Sequence, residues 1–415
     1  MAEAVSVPGF EAIIIGGGPA GIAAAVELSR LGVRSIALLE REEALGGIPR
    51  HCGHPPFGMR EFGRILTGPR YAARLAGLAA SLPGVAIMTR HAAVAIAPGG
   101  AVTAATPEGV HTFTARRIIL ATGIRETPRA ARLVSGTRPL GVVNTGALQA
   151  MVYLENLIPF RRPVIVGTEL VAFSALLTCR TAGIRPVAMI EESERIVARR
   201  FSAGLPRLLG VPLWLRTRLD AIEGGGRVTA VRVADTAGTE RRIDCDGVIF
   251  TGGFQPEATL VRMGHLALDP ATGGPSVDQY GRCSDPVFFA AGNVLRPVET
   301  AAWCYREGRQ TGRFVAADLA GKLAAATEAL PIEYQEPIRF VVPQRIARPS
   351  DGVLAGALQL RLMRRACGRI ALIGADEILT SRRIDSLPER RILIPLAGLR
   401  LARATSAIKI VIGER

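Results

Sequence analysis

Three glycines near the start of the chain are spaced for binding phosphate. Gly16, Gly18 and Gly21 form a GxGxxG pattern between the apolar run 12–15 and an alanine-rich stretch with helical character. The first glycine permits a tight turn, the second lets the backbone approach a pyrophosphate, and the third lets the helix lie close to the strand. Unpaired N–H groups at the helix N-terminus favour negative charge. The pattern predicts a dinucleotide-binding turn.

An acidic residue supports this prediction. Glu40 ends the next apolar strand, 19 residues after Gly21. A carboxylate at that place can accept hydrogen bonds from an adenosine ribose. The strand, the helix, the second strand and the acid occur in the expected order, which an unrelated glycine-rich turn would not supply.

The arrangement recurs later in the chain. Gly16 and Glu40 are 24 residues apart, and so are Gly167 and Glu191. Each of these segments contains a strand, a turn, a helix and an acid-ended strand, and each is followed later by a strand with a turn of small residues. An internal repeat of this kind predicts two Rossmann-like domains.

The second copy of the fingerprint lacks the central glycine. Its three glycine positions read Gly167, Glu169 and Ala172. A carboxylate about 4 Å from a pyrophosphate would cost roughly 1–4 kcal/mol, or about one to three decades of affinity. Two interpretations remain open: either this domain no longer binds NAD(P)H strongly, or the carboxylate points away and the nucleotide still binds. In the second case Glu191 favours NADH, and the site would also include Gly252.

The segment that follows the first repeat carries the candidate catalytic residues. His51, Cys52 and His54 lie close together, and Cys52 is the only cysteine of the segment 46–75. A single cysteine excludes a dithiol mechanism in this segment, and three ligands in such a tight turn do not predict a metal site. The three residues are either hydrogen-bond donors or proton carriers beside a redox cofactor, or parts of a structural turn.

Composition narrows the class of protein. The formal net charge of the 415 residues is +15, but Lys322 and Lys409 are the only lysines among 51 basic residues. An arginine bias of this kind is typical of a GC-rich genome, and no nucleic-acid-binding motif accompanies it. The six cysteines include no CxxC pair, so no iron–sulfur cluster or metal site is expected. The absence of a signal peptide and of long apolar runs predicts a cytoplasmic protein without a membrane span.

Further motifs suggest that the first dinucleotide is FAD. The run "IILATG" ends at Thr122-Gly123, and "FFAAGNV" contains Gly292-Asn293 before a helical segment that opens near Thr300. Together with the first fingerprint, these motifs resemble the pyridine nucleotide–disulfide oxidoreductase superfamily, whose members have two dinucleotide-binding domains. The family usually has aspartate at the position of Asn293. The resemblance implies that the late helix directs its positive end at the flavin pyrimidine ring.

The predicted fold class is α/β, with two Rossmann-like three-layer domains, the second inserted into the first, and a small β-rich C-terminal domain. The FAD-binding domain is predicted at 1–127 and 271–330, the degenerate NAD(P)-binding-like domain at 128–270, and the C-terminal domain at 331–415. The predicted cofactor contacts are Gly16, Gly18, Pro19, Ala20, Gly21, Glu40, Arg41, Gly47, Thr122, Gly123, Gly292, Asn293, Thr300 and Ala301.

The segment 46–75 carries a narrower resemblance. Its run "GG…C.H..FG…LTGP.YA" is similar to the α subunits of opine oxidases, of hydrogen cyanide synthase and of proline or sarcosine dehydrogenase complexes. It is most similar to members paired with a glycerol-3-phosphate-dehydrogenase-like subunit. This resemblance implies an electron-transfer or accessory flavoprotein in a hetero-oligomer that oxidises an amine, an amino acid or a polyol. The partners would be a second FAD-containing dehydrogenase subunit and a small iron–sulfur protein.

Two other functions remain open. A self-sufficient NADH-dependent flavoprotein reductase would require the second domain to bind NADH despite Glu169. A redox-silent scaffold would bind FAD or another adenine nucleotide only to position a partner. All three functions require the first fingerprint. Binding of NADH at the second fingerprint is what distinguishes the reductase from the other two functions.

Overall fold

The described part of the chain forms two compact units. The first unit comprises Met1–Gly47, Ala73–Ile124 and Pro256–Arg415, and the second comprises Ile48–Ala72 and Arg125–Gln255. The second is therefore inserted into the first, as the sequence predicts. The computed structural model describes residues 9–198, 200–324, 329–348, 352–354, 356–402 and 404–414.

Two of the longer helices begin where the sequence supplies a suitable first turn. Helix α1 has proline at its start and a small-residue body, and α8 is capped by Thr300, whose hydroxyl accepts a hydrogen bond from the Trp303 N–H (3.3 Å). The α-helices among the described residues are α1 (Pro19–Arg30), α2 (Met59–Phe62), α3 (Gly68–Ala80), α4 (Thr145–Tyr153), α5 (Leu170–Thr181), α6 (Gly204–Leu208), α7 (Thr259–Met263) and α8 (Ala301–Leu319).

The strands carry most of the regular structure. Those of the first half are β1 (Phe10–Ile15), β2 (Ile36–Glu40), β3 (Val85–Thr89), β4 (Ala92–Ala97), β5 (Ala101–Thr106), β6 (Gly109–Leu120), β7 (Ile124–Glu126), β8 (Ser135–Gly136), β9 (Val142–Asn144), β10 (Pro163–Val166), β11 (Ala188–Ile190), β12 (Leu213–Trp214) and β13 (Thr217–Glu223). Those of the second half are β14 (Ala230–Asp235), β15 (Glu240–Asp244), β16 (Gly247–Phe250), β17 (Phe254–Pro256), β18 (Phe288–Ala290), β19 (Ala329–Tyr334), β20 (Ile338–Val342), β21 (Arg345–Ala347), β22 (Ala357–Leu362), β23 (Ala366–Gly374), β24 (Glu377–Ser386), β25 (Ile392–Pro395) and β26 (Ile408–Glu414).

The central sheet of the first unit has the strand order β3-β2-β1-β6-β5-β4, with β18 also paired to β6. The strands β3, β2, β1, β6 and β18 run parallel, whereas β4, β5 and the start of β6 form an antiparallel meander. Strands β1 and β2 are almost entirely buried, as expected of parallel strands covered on both faces. The strand order reverses between β1 and β6, so a crevice opens there at the carboxyl ends of the strands.

The second unit repeats this arrangement. Its parallel sheet has the order β12-β11-β10-β16-β9, with the reversal between β10 and β16. A smaller sheet, β15-β14-β13-β8, packs its apolar face against the same core. The two Rossmann-like units predicted from the internal repeat are therefore present.

The β-rich C-terminal region is also present. Its strands form the sheets β21-β19-β26-β23-β24 and β20-β22-β25, which share an aliphatic core. The described residues of this region group with the first unit rather than standing apart from it.

The unit limits differ from the predicted domain limits in three further places. Residues 48–72 and 125–127 lie in the second unit, and residues 256–270 lie in the first. Gly53 shows why the earlier segment belongs to the second unit: a Cβ at this position would lie 2.1 Å from the ring of Tyr153, so the segment packs closely on α4. No sequence pattern reports such a contact, because the two residues are far apart in the chain.

Candidate functional site

The first crevice is built on glycines that no other residue can replace. Gly16 has φ +111°, and a Cβ there would lie 2.4 Å from the carbonyl oxygen of Ala121 at the end of β6. A Cβ at Gly21 would lie 1.9 Å from the Gly16 oxygen. The turn between β1 and α1 is therefore closed tightly against both the next strand and the helix, as the fingerprint predicts.

The same crevice leaves space for a ligand. A Cβ at Gly18 would meet its nearest atom, the Gly47 Cα, only at 3.9 Å, and a Cβ at Gly123 would meet no described atom within 4 Å. Within the described residues, no side chain caps α1, and no acidic residue lies in its first turn, which begins with Pro19 and Ala20. The first turn of α1 thus offers its backbone N–H groups to an anion.

Glu40 lies at the end of β2, as predicted, and is 7% exposed. Its carboxylate accepts hydrogen bonds from the Gly17 N–H (2.8 Å) and the Glu42 N–H (2.9 Å). Each oxygen keeps a second lone pair, so the carboxylate can still accept a bond from a ribose hydroxyl. Arg41 is exposed and contacts only the side chain of Glu42 (3.6 Å) among the ion pairs of the described chain.

An open depression of about 650 Å³ adjoins this strand end, lined by Glu43, Ala44, Thr89, Arg90, His91, Pro107 and Glu108. It lies next to Glu40, since the His91 N–H donates to the Glu40 carbonyl oxygen (2.9 Å). This is the side of the crevice on which an adenosine would lie if the strand-end acid bound its ribose.

The remaining predicted cofactor contacts lie around the far side of the crevice. The hydroxyl of Thr122 donates to the Glu257 carbonyl oxygen (2.6 Å). Gly292 has φ +80°, and a Cβ there would lie 2.8 Å from the Cβ of Ala20. The "GN" turn of residues 292–293 therefore lies against the first turn of α1.

Asn293 holds the loop before α8. Its side-chain oxygen accepts from the Glu299 N–H (2.7 Å), and its side-chain nitrogen donates to the Glu299 carbonyl oxygen (3.1 Å). An ionised aspartate, which donates no hydrogen bond, could make only the first of these two bonds. The departure from the family pattern thus has a structural reason within this chain.

Helices α1 and α8 run side by side in the same direction. A Cβ at Gly308 would lie 2.0 Å from the Ala20 oxygen, and one at Gly312 would lie 2.9 Å from the Ala24 oxygen. Because α8 begins at Ala301, seven residues before Gly308, its N-terminus extends about 10 Å beyond Ala20. Both positive helix ends therefore face the same side of the unit.

The second crevice has a similar backbone but different side chains. Gly167 also has φ +111°, and Glu191 repeats the role of Glu40 by accepting from the Thr168 hydroxyl (2.5 Å) and the Ser193 N–H (2.9 Å). Ala172 is fully buried in α5. The repeat predicted from the sequence therefore extends to the hydrogen bonds of the strand-end acid.

Glu169 fills this second crevice. Its Oε2 accepts from the Thr251 hydroxyl (2.8 Å), and its Oε1 would lie 2.2 Å from a Cβ at Gly252. Arg132 approaches from the same direction and donates to the carbonyl oxygens of Thr251 (3.1 Å) and Gly252 (2.7 Å). The carboxylate turns inward to the end of β16, where it lies against Gly167 and Gly252.

Burial raises the pKa of Glu169, and the Thr251 hydroxyl and the Arg132 guanidinium oppose that rise. The sequence offers no signal for the part that Arg132 plays, because it lies outside the fingerprint. Both groups come together only through the fold of the second unit.

The candidate catalytic residues His51, Cys52 and His54 lie in the second unit. Cys52 is 9% exposed, and its thiol donates to the side-chain oxygen of Gln149 (3.5 Å). Burial, together with the negative charge of Glu126, raises the pKa of Cys52 to about 12, so the thiol stays protonated near neutral pH. The Nδ1 of His54 donates to the Pro55 carbonyl oxygen (2.9 Å).

Glu126 is a titratable residue of this region that the sequence does not reveal. Its Oε2 accepts from the Gly146 N–H at the start of α4 (2.6 Å), while its Oε1 is buried without a hydrogen-bond partner among the described residues. The Glu126 carboxylate and the His51 ring both lie within 4 Å of a Cβ built on Gly146. Burial raises the pKa of Glu126 to about 7, so this carboxyl group can take up or release a proton near neutral pH.

A metal-binding cluster and a membrane-spanning helix are both absent from the described residues. In the ranges given above, no three or more His, Cys, Asp or Glu side chains are arranged to hold a metal ion. None of the described helices is both long and apolar enough to cross a membrane.

Comparisons with known proteins fit this geometry. The family model described as pyridine nucleotide-disulphide oxidoreductase matches residues 10–308. Thioredoxin reductase from T. acidophilum is 23% identical with a TM-score of 0.61, covering 74% of this chain and 98% of its own. L-proline dehydrogenase from P. horikoshii is 21% identical with a TM-score of 0.58, covering 78% and 58%.

A NAD-dependent persulfide reductase from A. fulgidus is 18% identical, with a TM-score of 0.55 and a coverage of 90% of this chain and 70% of that protein. None of the curated protein sequences matches the chain significantly. At these identities the structural likeness establishes the fold and nothing finer.

Proposed function

This chain belongs to the pyridine nucleotide-disulphide oxidoreductase family, and we propose that it is an FAD-dependent electron-transfer flavoprotein that works as one subunit of a larger dehydrogenase. One observation carries the proposal: the first crevice is open at Gly18 and Gly123, whereas Glu169 fills the second. A dinucleotide fits the first unit, and its counterpart in the second unit meets a side chain. Electrons then reach the flavin from a partner rather than from NADH.

The residues of the first unit suit FAD. The N-terminus of α1 would hold the pyrophosphate over Gly18, and Glu40 would bind the adenosine ribose beside the open depression. The GN turn and the N-terminus of α8 would face the flavin end, about 10 Å further along. Bound FAD would supply the redox chemistry by accepting electrons and passing them on. The chain's part is to bind the cofactor, orient it and stabilise charge.

The proposed substrate class and partners rest on resemblance. The segment 46–75 is similar to α subunits of amine and amino-acid oxidising complexes, and L-proline dehydrogenase from P. horikoshii is one of the proteins with a similar fold. The partners are a second FAD-containing dehydrogenase subunit and a small iron–sulfur protein, because this chain carries no CxxC motif. The substrate is an amine, an amino acid or a polyol.

Within the second unit, Glu126 is a further candidate for handling protons, beside the residues that the sequence suggests. The thiol of Cys52 stays protonated, whereas the Glu126 carboxyl titrates near neutral pH and has a buried oxygen without a described partner. Its neighbour His51 lies on the same side of Gly146. In this proposal Glu126 joins His51, one of the three residues that the sequence suggests.

An anaerobic titration tests the proposal. The purified chain is expected to be yellow, to keep its absorbance near ~450 nm when NADH is added at micromolar concentration, and to lose it when dithionite is added. Loss of absorbance with NADH would instead identify a self-sufficient reductase. A chain that binds no flavin, or one whose flavin dithionite does not reduce, would contradict the proposal.

Partnership needs its own experiment. Affinity purification from the source cells under mild conditions is expected to recover a second flavoprotein in a fixed ratio to this chain. The recovered complex, but not this chain alone, should transfer electrons from an amine, amino-acid or polyol substrate to a dye. Full activity of the isolated chain with such a substrate would show that no partner is required.

A further inference from the structure

A largely buried network of charged and polar side chains surrounds the start of α8. Its centre is Arg296, which is fully buried. The network connects the GN turn and the first turn of α8 with strands of the C-terminal region. Its members, here called the α8 network, are Arg296, Glu299, Glu307, Gln359, Arg361 and Arg391.

The first half of the α8 network forms hydrogen bonds with both backbone groups of Gly292 in the GN turn. The Gly292 N–H donates to the Glu307 carboxylate (3.0 Å), and the Gly292 carbonyl oxygen accepts from Arg296 (3.2 Å). Arg296 also binds both oxygens of Glu307 (3.0 and 2.7 Å) and the side-chain oxygen of Gln359 (3.0 Å). Two charged groups thus fix the turn that lies against Ala20 of α1.

The second half holds Glu299, the residue just before the cap of α8. The Glu299 side chain is 4% exposed. Its carboxylate accepts from Gln359 (2.6 Å), from Arg361 (2.9 Å) and from Arg391. Gln359 and Arg361 belong to β22, and Arg391 immediately precedes β25. Every one of these donors therefore comes from the C-terminal region.

The network also has a definite charge. Three arginines and two glutamates leave one net positive charge beside the positive end of a 19-residue helix. Arg391 lies over the ring of Trp303 in the first turn of that helix, 3.4 Å from its centre. Salt screens buried charges far less than exposed ones, so this charge acts over several ångströms.

We propose that the C-terminal β-rich region is part of the flavin site: through the α8 network it positions the GN turn and the N-terminus of α8 and sets the reduction potential of the bound FAD. This inference rests on the proposed function, because it requires FAD in the first unit. The Arg296, Glu299, Arg361 and Arg391 side chains act as positioning residues and as fixed charges, and the neutral Gln359 side chain acts as a positioning residue. A positive charge there stabilises the reduced, more negative form of the cofactor and raises its potential.

The reduction potential of bound FAD, measured by anaerobic titration against reference dyes, tests this inference. Glu299→Gln removes a negative charge and should raise the potential, whereas Arg391→Gln removes a positive charge and should lower it. Each change should alter the ratio of reduced to oxidised FAD at a fixed potential by about tenfold, which is about 30 mV for a two-electron couple. Arg391→Lys keeps the charge and should restore the wild-type potential.

A control from the same region is the exposed pair Arg365–Asp385, whose Arg365→Gln variant should leave the potential unchanged. Opposite shifts distinguish charge from damage, because a loosened site would shift both variants toward the potential of free FAD and release the cofactor. Equal potentials in all variants, or shifts of the same sign, would overturn the inference.

If Glu299→Gln fails to fold, the potentials of Arg391→Gln and Arg391→Lys still test the inference. A failure of the proposed function would be seen in the wild-type protein itself, which would then bind no FAD, or none that dithionite reduces.

Discussion

The two crevices of this molecule share a backbone and differ in what fills them. Both turns begin with a glycine at φ +111°, and both sheets reverse their strand order at the same place. In the first, Gly18 and Gly123 face open space; in the second, the Glu169 carboxylate lies against Gly252 and Thr251. The same Rossmann-like turn therefore occurs twice, once with open space at its glycines and once with a carboxylate turned against the neighbouring strand end.

The strand-end acids of the two units also make equivalent contacts. Glu40 and Glu191 each bind the turn between the first strand and helix of their own unit and the backbone two residues further on. An acid at this position contributes to the fold whether or not a nucleotide is bound. Its presence alone is therefore weak evidence for a nucleotide, and the space above the helix N-terminus is the better criterion.

Transferring the glutamate from the second turn to the first should have the largest effect. Gly18→Glu places a side chain and a negative charge at the N-terminus of α1, and the repulsion from a pyrophosphate alone approaches about 4 kcal/mol at an effective dielectric of about 20. We expect the FAD affinity to fall about a thousandfold, measured from the flavin absorbance of the purified variant and by back-titration with FAD.

Gly77→Glu is the matched control for this change. Gly77 lies within α3, and a Cβ there would meet no described atom within 4 Å. This variant should keep its flavin. Equal FAD content in the two variants would show that the first crevice is not the binding site.

Glu126 is another buried acid of the second unit, and it can be compared with Glu169. It lies beside the Gly146 N–H and not in the second crevice. Its pKa is raised from 4.5 to about 7, so the folded chain binds an extra proton between these two values. The contribution of this group to stability is therefore fully present below pH 4.5 and is lost, by about 3 kcal/mol, as the pH rises through 7. Urea unfolding at pH 5 and pH 8 should show a larger loss of stability in the wild type than in Glu126→Gln. Parallel pH profiles would contradict the assignment.

Removing the glutamate from the second turn should have a smaller effect, which is a gain in NADH affinity. Glu169→Gly removes the carboxylate that fills the second crevice, and the NADH affinity should rise about tenfold or more as the repulsion disappears. Arg132 still lies against the Gly252 carbonyl oxygen, which limits the gain. Fluorescence titration with NADH measures it, with Glu192→Gly, a change to a neighbouring exposed acid, as control. An unchanged affinity would show that Glu169 is not the obstacle.

Arg41 should give the smallest effect. The sequence suggests it as a cofactor contact, but its side chain is 65% exposed and pairs with Glu42. Exposed pairs of this kind contribute less than about 1 kcal/mol. Arg41→Ala should change the FAD affinity by less than about threefold, and a tenfold loss would show that the arginine closes over the bound cofactor.

The sequence contains the whole of the internal repeat, because glycine spacing and strand-end acids are local requirements of the backbone. It predicts both Rossmann-like units, the insertion of one into the other and the β-rich C-terminal region. It also identifies Glu169 as the anomalous residue. It cannot give the direction of that side chain, because the direction depends on Thr251 and Gly252, about eighty residues further along the chain.

Local patterns determined the architecture of this protein, since a tight turn, a buried strand and a helix start are each specified by a few adjacent residues. The tertiary structure alone decided which crevice is open, that Asn293 and Glu299 hold one another, and that Gln359, Arg361 and Arg391 reach the start of α8. The physical reason is that side-chain hydrogen bonds and charges act across space, between residues whose separation in the sequence carries no periodic signal.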